Sequence, residues 1–221
     1  MRTPATLYLL IALLVIPQSL SGQEFALGGR AGTLGFGAEA ALGLSDNFAV
    51  RGGLGSFFSL EYTSEQDGVE YTVSPPSPTG TLGIDLYPTG GSFRLMAGFM
   101  FRSGDIEMDS GDLAQAGPVE IGDVEYNEPG TLHGAIATSS TAPFVGLGFG
   151  HHTQGGFGLF LDLGVAFVGE ADVTMRAEGP IASVPGFQQE LDKEVQNLED
   201  EVASYLKYWP ILNIGVKIPL G

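Results

Sequence analysis

The stretch FGLFLDLGVAFVGEADV, Phe157 to Val173, decides how the chain folds, because a carboxylate interrupts an otherwise apolar run. The odd-numbered positions from Phe157 to Phe167 are all bulky and apolar. The even-numbered positions mix glycine, alanine and phenylalanine with Asp162. Successive side chains of a strand point to opposite faces. The stretch therefore predicts a β-strand with one apolar face and one face of small, apolar and acidic residues.

Six further segments repeat the pattern of one uncharged apolar face and one glycine-rich face with isolated charges. They are Thr33–Leu44, Phe48–Tyr62, Thr79–Tyr87, Phe93–Phe101, Phe144–Gly150 and Leu212–Leu220. Two architectures produce this alternation. In a soluble barrel or sandwich the apolar face points inward, and in a transmembrane barrel it meets lipid.

The character of the second face separates these two architectures. A solvated sheet face normally carries many charged residues, which also protect its edges, but here that face is mostly glycine and alanine. Small residues suit a barrel of about eight strands, whose interior is just wide enough to be filled by side chains. We therefore predict an all-β protein, an antiparallel transmembrane β-barrel, with opposite charges paired inside it. The predicted lumen charges are Glu39, Arg51, Glu61, Asp85, Arg94, Arg102, Asp162, Glu170, Asp172 and Lys217.

The connections support a barrel that spans a membrane, because short turns alternate with longer polar loops, as is typical of outer-membrane barrels. The turns are at 45–47, 88–91 and 151–156, and the loops are at 63–68, 103–130 and 176–206. Seven strands are clear, and single-chain bacterial barrels normally have an even number. The eighth is either Phe25–Arg30 or part of a hairpin made by 119–121 and 124–126.

The N-terminus predicts export. Arg2 precedes the apolar stretch Leu7–Ile16, and small residues follow it, which is the pattern of a secretory signal peptide. We expect cleavage near Ser21 or Gly22, so that residues 1–22 are the signal peptide and 23–221 the barrel. The apolar stretch is shorter than the roughly 20 residues that a spanning helix needs.

The composition narrows the class further. Charged residues make up 16% of the 221 residues, against about 25% in soluble proteins. The chain has no cysteine, which excludes a disulfide scaffold, a thiolate metal site and a lipid-anchored lipoprotein. The net charge of -17 excludes nucleic-acid binding through a basic patch. It favours basic ligands or divalent cations as partners.

One segment differs from all the others. Between about 186 and 206, the apolar residues Leu191, Val195, Leu198 and Val202 recur at helical spacing among acidic and amide side chains. This predicts an amphipathic helical insertion before the last strand. The helix either packs on the barrel rim or an adjacent loop, or it caps one barrel mouth, where it would gate the mouth or recruit a partner helix.

Few residues carry a chemical motif. His151 and His152 are adjacent and diverge in an extended turn, so no metal site is predicted there. Four acids alternate like a calcium-binding loop, but without the required glycine and closing glutamate; they are Asp105, Glu107, Asp109 and Asp112. A solvated loop is the favoured interpretation, with weak divalent-cation binding beside lipopolysaccharide as the alternative. No cofactor is predicted.

Several segments resemble the small outer-membrane β-barrel proteins of Gram-negative bacteria, the class of the OmpA barrel, OmpX, OmpW and CarO. They are GTLGFGAEAALGLSDNFAVRGGL, DLYPTGGSFRLMAGF, PFVGLGFG, FLDLGVAFVG and YWPILNIGVKIPL. The resemblance implies the bacterial outer membrane as location, with its lipid and lipopolysaccharide as surroundings. It also implies that the barrel-assembly machinery recognises the last strand, where Asn213, Gly215, Ile218 and Leu220 match the signal of that class. The chain ends on Gly221 instead of the usual phenylalanine.

Three functions remain at this stage. The first is a small pore or uptake channel for small solutes, which six acids against four bases in the lumen would make selective for cations. The second is a non-conducting structural or interaction barrel. The third, a lipid-modifying enzyme, ranks last, since His133 with Ser139 or Ser140 is its sole candidate pair.

Because a hydroxyl can hydrogen-bond in a lumen, we also expect Gly164→Ser to be tolerated.

Overall fold

The computed structural model describes residues 24–58, 60–66, 69–202 and 205–220. The predicted signal peptide, 1–22, lies outside them. In chain order the strands are β1 (Phe25–Gly32), β2 (Phe36–Ser45), β3 (Phe48–Ser56), β4 (Tyr62–Gln66), β5 (Val69–Ser74), β6 (Thr79–Leu86), β7 (Phe93–Arg102), β8 (Ile106–Ser110), β9 (Val119–Ile121), β10 (Val124–Tyr126), β11 (Thr131–Ala137), β12 (Thr141–Phe149), β13 (Gly158–Phe167), β14 (Asp172–Glu178) and β15 (Tyr208–Pro219). The helices are α1 (Leu113–Ala116), a 3-10 turn (Pro180–Ser183) and α2 (Phe187–Val202).

Eight of these strands close into an antiparallel barrel in the order β1-β15-β13-β12-β7-β6-β3-β2. The ring closes where β1 pairs with β15, from Ala26 opposite Pro219 to Gly32 opposite Asn213. The predicted barrel is confirmed, and Phe25–Gly32 is its eighth strand. The hairpin of β9 and β10 also forms, but it lies outside the ring.

The outer face of the barrel is apolar and exposed around the whole ring. Leu159 and Leu163 of β13 are 65% and 45% exposed, whereas Asp162 between them is 1% exposed. The same alternation gives exposed apolar side chains on the other barrel strands, among them Leu54, Leu82, Ile84, Phe99, Leu147, Ile214 and Ile218. None of the described residues covers this surface, and a large uncovered apolar surface marks contact with lipid or another apolar partner.

Two of the predicted strands are shorter than their patterns indicated. The stretch Phe157–Val173 divides into β13, which ends at Phe167, and the start of β14, which lies outside the barrel. Between the two strands the chain turns at Gly169, whose φ is +81°. A positive φ suits glycine, which lacks a Cβ. Similarly, Phe48–Tyr62 divides into β3 and β4. Alternating polarity continues across each break, so the sequence pattern did not reveal the change of sheet.

The three long connections, 57–78, 103–140 and 168–207, fold together into what we call the loop domain. Its five-stranded sheet has the order β14-β11-β8-β5-β4. An apolar core lies under this sheet and is separate from the barrel interior; it is formed by Val69, Leu113, Val119, Ile121, Tyr126, Leu132, Ile181, Phe187 and Leu191. The predicted helix and hairpin thus lie within one folded unit, which the interpretation of these connections as polar loops did not predict.

Helix α2 belongs to the loop domain. Phe187 and Leu191 are each 1% exposed and pack into its core, and the helix lies against β14, β9 and the 3-10 turn. Of the two predicted placements, packing against an adjacent connection is the one observed. Among the described residues, no helix is long and apolar enough to cross a membrane.

Candidate functional site: the charged interior of the barrel

Glycines on the inner face of the barrel strands leave room for long side chains. Gly148 of β12 lies between Arg94 of β7 and Asp162 of β13 in the sheet register. A Cβ on Gly148 would stand 2.6 Å from the Arg94 guanidinium carbon, so the guanidinium lies directly over the bare backbone. Arg94 is completely buried and reaches Asp162 across that gap.

Arg51 is the centre of the interior charges. Its guanidinium contacts three carboxylates: Asp162 at 2.7 Å, Asp85 at 3.1 Å and Glu39 at 3.3 Å. Arg94 shares Asp162, and its Nε lies 3.5 Å from Asp85. Side-chain exposure in this group does not exceed 9%. We call these five residues the lumen network.

Two residues that the sequence analysis did not assign to the lumen, His152 and Arg30, contact the lumen network. His152 contacts Glu39 through Nε2 at 2.7 Å and Asp85 through Nδ1 at 3.6 Å. Arg30 lies 4.0 Å from Glu39 and donates to the Thr81 hydroxyl at 3.0 Å. Arg30 lies on the inner face of β1. Because the sequence left it undecided whether β1 is a barrel strand, Arg30 could not be assigned to the lumen.

Apolar side chains close the lumen toward the loop domain. Eight buried residues pack there above the lumen network: Leu34, Met96, Met100, Ala142, Phe144, Ala166, Val168 and Ile211. Beyond them the Arg102 guanidinium lies 5.1 Å from the ring centre of Trp209, a cation–π contact. This end of the lumen is therefore filled by side chains.

The opposite end is closed by the turn between β12 and β13. His151, His152 and Thr153 are 8%, 1% and 3% exposed, although they lie in a turn. The His151 ring stacks on Tyr87 at 3.8 Å, and Lys217 donates to the Gln154 carbonyl. His151 and His152 therefore fill the barrel mouth, and they point to different partners. The described residues contain no group of three or more side chains that could hold a metal ion.

Little space remains between the two closed ends. The cavity beside the lumen network has a volume of about 20 Å³ and is lined by Arg30, Arg51, Thr81, Asp85, Asp162 and Asn213 together with apolar residues. One water molecule needs about 10–15 Å³ measured in this way. The cavity beside the lumen network thus holds room for about one water molecule.

Three of the predicted lumen charges lie elsewhere. Glu61, Glu170 and Asp172 are exposed and lie outside the barrel strands, because the alternating pattern was followed past the points where the chain leaves the barrel. Seven of the ten are buried within the barrel: Glu39, Arg51, Asp85, Arg94, Arg102, Asp162 and Lys217. With Arg30 added, five bases face three acids. The predicted acidic excess is therefore wrong, and it no longer supports selectivity for cations.

The acidic segment of the second long loop does not form a single site. Glu107 and Asp109 lie on β8, and Asp109 contacts His133 on β11. Asp112 accepts a hydrogen bond from the Ala114 amide at 3.1 Å, as the N-cap of α1, and Asp105 is exposed. His133 also lies 3.2 Å from the Thr131 hydroxyl. Asp109 and Asp112 therefore have different partners, and the four acids do not converge on one site.

A closed antiparallel ring of eight strands, apolar outside and filled with side chains inside, is the architecture of the small β-barrels of the bacterial outer membrane. Two solved structures share this fold. CarO2 from Acinetobacter baumannii is 18% identical, with a TM-score of 0.62, and the match covers 89% of this chain and 98% of that one. Acinetobacter baumannii CarO is 16% identical, with a TM-score of 0.58, and the match covers 87% and 96%. No protein-family model and no curated protein matches the sequence.

Proposed function

We propose that the protein is an integral barrel of the bacterial outer membrane that holds the loop domain at the cell surface and does not conduct in this conformation. The filled lumen carries this proposal, since about 20 Å³ admits a single water. The apolar outer face supports a position in lipid. Long connections on one side and short turns on the other support an outward-facing loop domain.

Its surroundings follow from the same proposal. Outer-membrane lipid and lipopolysaccharide would contact the apolar outer face, and the barrel-assembly machinery would recognise β15. The loop domain would then be the part that meets other molecules, because the barrel offers only lipid-facing and buried surfaces. This is the structural or interaction barrel of the sequence analysis.

A pore for small solutes is the second candidate, and one observation favours it. The lumen is charged, although burying ion pairs is often no more stabilising than apolar packing of the same volume. If the lumen opened, its five bases and three acids would favour small anions or zwitterions over cations.

Three measurements test the proposal. The purified protein should migrate differently before and after boiling in detergent, and it should fractionate with outer membranes. In a planar bilayer it should give no stable single-channel steps at neutral pH. Recovery from the periplasm as a soluble protein would overturn the membrane position, and regular ohmic steps would establish the pore instead.

Orientation has a sharper test, since the chain contains no cysteine. Asp192→Cys places a thiol on the exposed face of α2, and Gly156→Cys places one in the exposed part of the β12–β13 turn. A membrane-impermeant maleimide should label the first variant on intact cells and the second one only after lysis. The reverse pattern would place the loop domain in the periplasm.

A further inference from the structure

The turn that closes the barrel mouth is built unlike the rest of the interior. Residues 150–156, which we call the plug, bring three buried side chains into the mouth. Their contacts are mostly polar or between rings: the His152 amide donates to the Tyr87 hydroxyl at 3.2 Å, and the His152 ring lies tilted against that of Phe160, with 4.7 Å between the ring centres. By contrast, the other end of the lumen is closed by a packed apolar cluster.

The plug is attached in a way that permits movement. Gly150 and Gly155 have φ values of +99° and +76°, and glycine passes between such conformations more readily than other residues. A Cβ on Gly155 or Gly156 would meet nothing within 4 Å, so the second half of the turn lies in open space. The first half is held by side chains of the lumen network and Tyr87, and beyond it Lys217 donates to the Gln154 carbonyl.

From this arrangement we propose that the plug is an acid-released closure of the turn-side mouth, which leaves the lumen when His152 becomes protonated. His152 faces two acids, Glu39 and Asp85, two bases, Arg51 and Arg94, and the Tyr87 hydroxyl. The acids are already bound by the arginines. A proton on His152 therefore adds a fourth buried cation, after Arg30, Arg51 and Arg94, to three carboxylates that are already shared.

The direction of the pH effect follows from burial. Burial lowers the pKa of His152 below its usual 6.5, although the hydrogen bond to Glu39 opposes this shift. The seated plug consequently holds a neutral imidazole, while a released plug in water would accept a proton below about pH 6.5. The seated form is fully favoured above that pH and loses stability as the pH falls below it.

Release would open a vestibule rather than a channel. The apolar cluster and the Arg102–Trp209 contact still close the lumen toward the loop domain. The expected change is that water and small reagents reach the lumen network from the turn side. This inference goes beyond the proposed function, since it concerns access to the lumen from one side.

Cysteine labelling in the purified full-length barrel tests the proposal. Thr153→Cys reports the buried half of the plug, and Gly156→Cys, exposed in the same turn, corrects for the pH dependence of thiol reactivity. With a small charged methanethiosulfonate, Thr153→Cys should label much more slowly than Gly156→Cys at about pH 7.5. The ratio of the two rates should then rise by up to about tenfold per pH unit below the usual histidine pKa.

His152→Gln separates the titration from general loosening. Glutamine keeps a polar side chain but does not titrate, so the labelling ratio should no longer depend on pH. A pH-dependent ratio that persists in this variant would overturn the role of His152. Equal labelling of Thr153→Cys and Gly156→Cys at neutral pH would overturn the seated plug itself, while unchanged heat-modifiable migration would leave the barrel proposal standing.

A crosslink checks the seated position directly. A Cβ on Gly43 would lie 3.4 Å from the Thr153 Cβ, close to the spacing of about 3.5–4.5 Å found in disulfides. The double variant Gly43→Cys with Thr153→Cys should therefore form a disulfide at neutral pH under mild oxidation. Gly43→Cys with Gly156→Cys is the matched control and should form far less. Equal crosslinking of the two pairs would contradict the seated plug.

Discussion

The barrel and the loop domain hold their charges in opposite ways. Residues 57–78, 103–140 and 168–207 carry 21 of the 26 acidic residues and three of the nine basic ones, and most of the described ones are exposed. The lumen holds few charges, and those of the lumen network lie within 4 Å of an opposite charge. Nearly all of the net charge of the protein therefore lies on one side of the barrel.

The difference teaches that position, rather than number, sets what a charge contributes to stability. Removing one partner of a buried ion pair typically costs about 3–5 kcal/mol, because the other partner stays buried and unpaired. Exposed pairs are hydrated and screened by salt, and they typically contribute about 0–1 kcal/mol. The three buried acids of the barrel, Glu39, Asp85 and Asp162, should thus matter more individually than the many exposed acids of the loop domain.

The largest effect is expected for Asp162→Asn. It removes one of the two carboxylates that Arg51 and Arg94 share, so the free energy of unfolding should fall by about 3–5 kcal/mol. Urea unfolding from lipid vesicles measures the change. A loss under about 1 kcal/mol would mean that the pair behaves as an exposed one.

The outer face gives the second largest effect. Leu163 is 45% exposed on the barrel, and arginine at the middle of a lipid-facing surface costs about 2–4 kcal/mol. Leu163→Arg should therefore reduce both assembly and stability. Val124→Arg is the control, because Val124 is 41% exposed on the loop-domain hairpin, where a surface substitution should change stability by about 0.5 kcal/mol or less. Equal losses would show that the barrel surface does not face lipid.

Gly164→Ser should give an intermediate loss, contrary to the expectation from the sequence. A Cβ at Gly164 would stand 2.7 Å from the Val145 carbonyl oxygen, which is backbone and cannot turn aside. Overpacking of this kind typically costs about 1–3 kcal/mol. Gly156→Ser, which has open space around its Cβ, is the matched control for urea unfolding, and indistinguishable midpoints would refute the close approach.

The smallest effect is expected in the loop domain, at the contact between α2 and the β9–β10 hairpin. Glu190 accepts from the Asp123 amide at 3.0 Å and contacts Lys193 at 2.9 Å. The amide and the ammonium both lower the pKa of Glu190. Its contribution is therefore present above its usual pKa of 4.5 and is lost as the pH falls below that value.

Hydrogen exchange at the Asp123 amide measures this contact. Exchange, corrected for the intrinsic effect of pH, should speed up as the pH falls below about 4.5, the usual pKa of glutamate. Glu190→Gln should remove this step, and high salt should weaken the contact without affecting the lumen network. An unchanged acid step in Glu190→Gln would assign it to another group.

Seven of the barrel strands could be predicted because each has a period of two over seven or more residues. On β13, for example, Leu163 and Asp162 fall on opposite faces with no ambiguity. Composition indicated which face of each strand points to the lumen, since a face of glycine and alanine is not typical of a sheet exposed to water. Arg51, Arg94 and Asp162 were therefore placed in the lumen without any knowledge of their partners.

The rest depended on contacts between distant residues. Nothing local to Glu170 or Asp172 shows that the chain has already left the barrel, and the short strands β8 and β9 have too few residues for a clear period. Likewise, the burial of His152 depends on Glu39, which lies 113 residues earlier in the chain. The local sequence of a turn does not show whether the turn packs into the barrel mouth or is exposed to water.

The closure of the ring between β1 and β15 also bears on the order of folding. The first and last strands of the barrel are neighbours, and Arg51 meets Asp162 across 111 residues of chain. Contacts of such long range form slowly, since the entropy of closing the intervening chain is lost before they form. Until β13 arrives, Arg51 and Arg94 lack Asp162, one of the two acids that they share, so a partly assembled barrel would enter lipid with an incomplete set of ion pairs. Insertion should therefore be a late, all-or-none event that waits for the C-terminal strand.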